Sequence, residues 1–297
     1  MRASLRRAAT VILVFPTILL SGCLFSTIRR LPIPKQPSIT RTATPDELVA
    51  QLDKRWNELQ SLNATVDIQA STLKSKEGMA RDYRSFRGHI LMRKPEMLRV
   101  LGQVPVLGTR MFDMASDGKN FTLFIPSKNK AVKGANTLKK KSTNQIENLR
   151  PGFFFDALVV RGLEPDDLYA VVSDSETVED EARKHLYNVP EYTLSISRRK
   201  PDNRQLTPVR VVVFHRDDLL PYEQNLYDSE GNLETQVTYA DYRNFDSIMY
   251  PFTITIKRPL EEYQLVLTVE SVQKNMVLTD DQFQIKIPEG TTIQNLE

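Results

Sequence analysis

Cys23 is the only cysteine in a chain of 297 residues. A lone thiol can close no intramolecular disulfide, so its chemistry points to attachment. The other residues able to do chemistry are sparse. His89, His185 and His215 lie far apart, no Gly-x-Ser-x-Gly elbow occurs, and no His or Cys spacing fits a metal site. Asp166-Asp167 and Asp280-Asp281 stand beside expected strand starts, where turn and capping duties explain them. Gly-x-Gly phosphate loops are absent. Together these patterns argue against catalysis, a resident metal or a cofactor.

The setting of the thiol is specific. Arg2, Arg6 and Arg7 precede an apolar run from Ala8 to Leu20, which is too short to stay in a bilayer as a spanning helix. Leu20-Ser21-Gly22-Cys23 then resembles the bacterial lipobox, in which the thiol is acylated and the chain is cut before the cysteine. The resemblance implies a signal peptide at 1–22 and a lipid anchor at Cys23. At about 0.8 kcal/mol per buried methylene, three acyl chains would hold the protein almost permanently. Leu24 follows the cysteine. In the lipoproteins this resembles, that implies export to the outer membrane, with the domain facing the periplasm.

The charge balance is 40 Lys+Arg against 37 Asp+Glu. The three arginines of 1–22 leave with the signal peptide, so the remainder is balanced and suggests no nucleic-acid partner. Residues 23–43 carry Pro32, Pro34 and Pro37 without apolar periodicity and read as a tether. Extended, such a segment spans on the order of 60 Å at about 3.1 Å per residue.

The folded domain is expected over 44–297. Thr44-Pro45-Asp46-Glu47 reads as a capping box opening a helix in which Leu48, Leu52, Trp56 and Leu59 share a face. From Asn63 the pattern changes to period two: Ala64, Val66, Ile68 and Ala70 alternate with polar residues. Further strands are expected at 86–93, 97–101, 110–115, 121–125, 169–178, 192–198, 209–215, 222–227, 235–242, 252–257, 264–272 and 283–287, separated by turn signals such as Asp117-Gly118. Two stretches interrupt this meander. Lys128, Lys130, Lys133, Lys139, Lys140 and Lys141 form a polar segment, read either as a solvated loop or as a patch for anionic headgroups. It lacks the aromatics of a single-strand binder. Residues 144–160 read as helical or irregular and carry the apolar cluster Phe153, Phe154, Phe155, Leu158 and Val159, which must cover something.

Phe86-Arg87-Gly88 through Arg93-Lys94-Pro95, then Ser116-Asp117-Gly118 and Phe121 to Pro126, resembles the LolA/LolB family of lipoprotein carriers and receptors. Tyr239 to Arg243, Tyr250-Pro251-Phe252 and Asn275 to Gly290 resemble it too. The resemblance covers most of 44–292, the region 134–191 matching poorly. It implies a mainly β fold with a few helices: a strongly curved, open antiparallel sheet, a half-barrel closed by helices, with an apolar concave face suited to acyl chains. Leu91, Leu98, Val100, Phe112, Phe121, Leu123, Phe124, Phe153, Phe154, Phe155 and Leu158 are its candidate lining; the same residues would equally make an ordinary filled core. Arg93, Lys94, Lys139, Lys140 and Lys141 are candidates for headgroup or partner contact. The family's carrier has an important Arg before the turn proline, where this chain has Lys94. Acylation at Cys23 resembles the membrane-bound receptor instead, and implies a periplasmic carrier protein as a partner.

Two functions follow. One is binding of lipid or lipoprotein acyl chains during transfer to the outer membrane. The other is a non-transport sensor or envelope-complex subunit using the same fold to recognise a partner.

Overall fold

The computed structural model describes residues 39–74, 79–136, 150–180, 185–200, 204–245 and 248–296. Cys23, the segment expected to be a signal peptide, most of the expected tether, and Lys139 to Lys141 lie outside them. Two compact units divide the chain: Pro37–Glu176 with Val189–Glu297, and Met1–Gln36 with Thr177–Asn188. Of the second, only the far ends of two strands are described. The first carries both helices and the core.

Helix α1 (Pro45–Glu58) begins as its sequence dictates. Thr44 Oγ1 accepts from the Glu47 N–H at 3.3 Å while Glu47 Oε2 accepts from the Thr44 N–H at 2.7 Å, a reciprocal cap of about 1 kcal/mol. Just before it, residues expected to end a tether are held by the folded unit: the Arg41 N–H donates to the Arg216 carbonyl at 2.6 Å and the Ala43 N–H to the Tyr192 hydroxyl at 3.3 Å.

The strands are β1 (Ser61–Lys74), β2 (Met79–Asp82), β3 (Phe86–Arg93), β4 (Met97–Gln103), β5 (Arg110–Ser116), β6 (Asn120–Ile125), β7 (Lys130–Ala135), β8 (Asp167–Asp180), β9 (His185–Arg199), β10 (Leu206–His215), β11 (Pro221–Tyr227), β12 (Leu233–Phe245), β13 (Ile248–Arg258), β14 (Tyr263–Lys274) and β15 (Thr292–Asn295). They form one sheet in the order β15-β7-β6-β5-β4-β3-β1-β14-β13-β12-β11-β10-β9-β8, with β2 on β1. The first and last strands do not meet, so the sheet is open.

Its curvature follows from helix α2 (Pro151–Leu158). Eight residues make a helix only about 12 Å long. Yet α2 packs on β4 and β5 and also on β13, and its Asp156 carbonyl accepts from Gln224 Nε2 of β11 at 2.5 Å. In a flat sheet β4 and β11, six spacings apart in that order, would be on the order of 29 Å from each other. The sheet therefore wraps around the helix. Close backbone approach at two glycines assists: a Cβ on Gly88 would stand 2.6 Å from Ile68 Cδ1, and one on Gly102 2.5 Å from Phe112 Cε1.

Both helices cover the concave face. Leu48 and Leu52 of α1 pack with Leu194, Ile196, Val212 and Phe214 of β9 and β10. Phe153, Phe154, Phe155 and Leu158 of α2 join the cluster built on β1, β3 to β7 and β12 to β14. On the convex face the C-terminal segment runs as a strap, ending in β15 paired in parallel with β7.

Two expectations are corrected here. Residues 283–287 do not form a strand: Asp280–Phe283 is a single 3-10 turn capped by Thr279, and pairing resumes only at β15. Lys130 and Lys133 belong to a strand, β7, because Ala131 and Val132 between them are fully buried, one on each face.

Candidate functional site

Strand alternation sorts the candidate lining residues. Leu98, Val100, Phe112, Phe121 and Leu123 face inward, in register across β4, β5 and β6. Leu91 and Phe124 do not. Leu91 pairs with Arg99 and Phe124 with Asp113 and Ala131, which puts both on the convex side. Phe124 is buried there all the same, on the face where Arg99 holds the C-terminal strap through the Gln282 carbonyl.

Phe153, Phe154, Phe155 and Leu158 occupy the concavity as a plug. Phe153 stacks on Phe154 at 4.5 Å and meets Tyr263 edge-on at 6.0 Å, while Phe155 meets Trp56 at 6.4 Å. Guanidinium groups close over them: Arg258 lies 5.4 Å from the Phe153 ring and Arg161 4.9 Å from that of Phe155. The plug is pinned by few polar bonds. Tyr250 donates to the Leu158 carbonyl at 2.9 Å, Gln224 to that of Asp156, and no side chain caps the N-terminus of α2.

Two hollows flank the C-terminal end of α2. One, of about 190 Å³, lies between Leu52 and Arg55 of α1 with the following Leu59, the Leu158–Val160 stretch, and Tyr239, Tyr242, Ile248 and Tyr250 of β12 and β13. The other is a cleft of about 540 Å³ lined by Arg161, Arg198, Arg210, Asp156, Asp167, Gln224 and Leu226. Val159 borders both. In the cleft, Asp156 holds Arg161 at 2.5 Å and Asp167 holds Arg198 at 2.6 Å. Burial works against the charge of Arg161, but Asp156 and Glu96 more than offset it and its pKa is raised. Arg210 is 5% exposed, and burial depresses its pKa.

The candidate contact residues have internal duties. Arg93 Nη1 donates to the Leu278 carbonyl at 2.5 Å, its Nη2 pairs with Asp280, and its guanidinium lies 5.3 Å from the Phe283 ring, so it holds the strap. Lys94 donates to the Trp56 carbonyl and sits 3.7 Å over the Trp56 ring; loss of water lowers its pKa. Lys94 thus ties β3 to α1.

The sequence reading passed over the β4–β5 turn. Val106 is fully exposed and Leu107 is 77% exposed, at an apolar tip Pro105-Val106-Leu107-Gly108. Val106 adopts φ 68°, costly for a β-branched residue. Pro105 and Gly108 signalled a turn, and two apolar residues inside it were the available clue. Arg210 was also missed, being one charge inside a valine-rich strand.

An open, curved antiparallel sheet with two helices on its concave face defines the LolA/LolB-like fold class, and this chain has that fold. A LolA superfamily protein from Nitrosomonas europaea superposes with a TM-score of 0.50 at 17% identity, over 82% of this chain and 99% of that one. An outer membrane lipoprotein-sorting protein domain from Vibrio parahaemolyticus aligns with a TM-score of 0.49 at 12% identity, over 80% and 94% of the two chains. A DUF1329 family protein from Desulfovibrio piger gives 0.48 at 15% identity, over 80% and 94%. No protein-family model and no curated protein matches the chain by sequence. No helix among the described residues is long and apolar enough to cross a membrane.

Proposed function

We propose that this chain is an outer-membrane lipoprotein, anchored through acylated Cys23 and facing the periplasm, that binds acyl chains of lipids or lipoproteins during their transfer to that membrane. The observation that carries the reading is the phenylalanine plug beside a hollow of about 190 Å³ whose wall is mainly apolar, with Arg55, Glu58 and Lys274 also on it. An engineered cavity of about 150 Å³ in another protein already takes up benzene. A longer chain gains room by displacing α2. That exchange replaces buried phenylalanine with buried methylenes at roughly 0.8 kcal/mol each, so it needs little net free energy. The exposed Val106 and Leu107 give the protein an apolar tip to dip into the bilayer.

The test uses the full chain carrying Cys23→Ser, which blocks acylation. Mass spectrometry of extracted lipids is expected to find co-purifying acyl lipid, and Val106→Asp with Leu107→Asp is expected to abolish binding to phospholipid vesicles. A lipid-free protein that also ignores a fluorescent fatty acid would refute acyl binding. The occupied concavity favours a second reading, partner recognition by a filled fold, which predicts that result.

A further inference from the structure

The wall of the larger cleft holds a charge that Asp156 and Asp167 of the same wall meet only from beyond ion-pair distance. Three arginines, Arg161, Arg198 and Arg210, line it. Asp156 and Glu96 bind the first, and Asp167 the second. Arg210 has no carboxylate within ion-pair distance among the described residues. Of its three guanidinium nitrogens, Nη2 alone has a protein acceptor there, the Gly162 carbonyl at 3.0 Å, and Nε is buried without one. Gln224 stands diagonally across from it on β11, its Nε2 committed to Asp156 and Tyr239. The acids left unpaired, Glu164 and Asp166, are exposed at the rim, where water screens them.

A guanidinium this deep is costly to keep charged unless an anion meets it. Replacing it with an apolar residue would serve stability better, so its presence on a ligand-sized cleft points outward, to something bound. The neighbouring hollow says what the rest of that molecule is. Val159 borders both spaces, which makes the hollow with Leu52, Leu158 and Tyr250 on its wall the immediate neighbour of the cleft that holds Arg210.

We propose that the cleft receives the anionic head of a single-chain or phosphorylated amphiphile, a carboxylate or phosphate held by Arg210, while its acyl chain enters the adjoining apolar hollow. The proposal rests on the acyl-binding reading and adds head-group selectivity to it. A guanidinium donates to such oxyanions in a bidentate fork, which a neutral ester cannot match in charge.

The test compares lauric acid, dodecyl phosphate and methyl laurate as competitors of a bound fluorescent fatty acid, on the full chain carrying Cys23→Ser, at a pH where the acid is ionised. The two anions are expected to bind about ten-fold or more tighter than the ester, the size of one charge-assisted hydrogen bond. Which anion binds tighter identifies the head group. Arg210→Gln is expected to bring anions and ester to parity without weakening the ester, and Arg210→Lys to restore part of the preference. Equal affinity of acid and ester in the unsubstituted cleft would overturn the proposal and leave acyl binding standing, a result that needs no Arg210 variant. Anion preference that survives Arg210→Gln would overturn it too. Failure of all three to compete would sink the acyl reading itself.

Discussion

Phe154→Ala should be among the most destabilising single changes in the protein. Phe154 is 1% exposed and stacked on Phe153 at 4.5 Å, at the centre of the concave face. A phenylalanine buries roughly 150–250 Å², which at about 25 cal/mol per Å² amounts to about 4–6 kcal/mol. Alanine keeps part of that area and the unfolded chain already hides some, while the cavity left behind adds a penalty. The expected loss is about 3–5 kcal/mol, a large share of the roughly 5–15 kcal/mol that stabilises a typical domain. Urea unfolding followed by circular dichroism measures it, with Phe154→Leu as a control expected to lose about 1.5 kcal/mol or less. If the plug occupies space that an acyl chain would take, the alanine variant should also bind a fluorescent fatty acid more tightly. A loss under about 1 kcal/mol at unchanged denaturant slope would mean that α2 is not seated in the sheet, and the argument for curvature would fall with it.

Two further outcomes are expected. Asp113 is fully buried on the convex face and chelates Arg99 through two bonds of 3.0 and 2.8 Å. Asp113→Ala, which leaves the partly exposed Arg99 only the Gln282 carbonyl, should cost about 1.5–3 kcal/mol by thermal or urea unfolding, and a cost near zero would show the pair to be dispensable. Burial also pushes the pKa values of Tyr239, Tyr242 and Tyr250 upward. A raised folded-state pKa means that, as the pH climbs past about 10, the unfolded chain releases these protons first. Their contribution is thus intact below about pH 10 and lost above it, so the urea midpoint should fall steeply in alkali. Tyr242→Phe, which removes one such proton and the bond to the Pro221 carbonyl, should make that fall shallower while costing about 1 kcal/mol at neutral pH. An unchanged alkaline slope would contradict the burial of this hydroxyl.

The local signals were legible because they depend on neighbours in the chain. The Thr44–Glu47 box started α1, and alternation from Ala64 located β1. The Phe153–Phe155 cluster announced a segment, helical or irregular, that must cover apolar surface, and it is the helix α2. Where local signals were weak, the reading slipped. Strand β7 carries two lysines and a glycine in six residues, and its pairing with β6 and β15 makes it a strand. Residues 283–287 alternate well enough for a strand, yet Arg93 and Arg99 hold the Leu278 and Gln282 carbonyls in a strap that leaves them without a partner strand.

Sequence by itself determined most of the strands, where α1 begins, and that the lone thiol follows a lipobox-like run. Tertiary structure alone decided which way each face points. Period two divides a strand into two sides without saying which is concave, and here both sides bury apolar groups, so Leu91 and Phe124 fell opposite their expected place. It also decided that the phenylalanines are plug and not wall, and that Arg210 lies beside a hollow and not in water. Those outcomes depend on how a sheet of many strands bends around one short helix, and that bending is set by contacts between residues far apart in the chain.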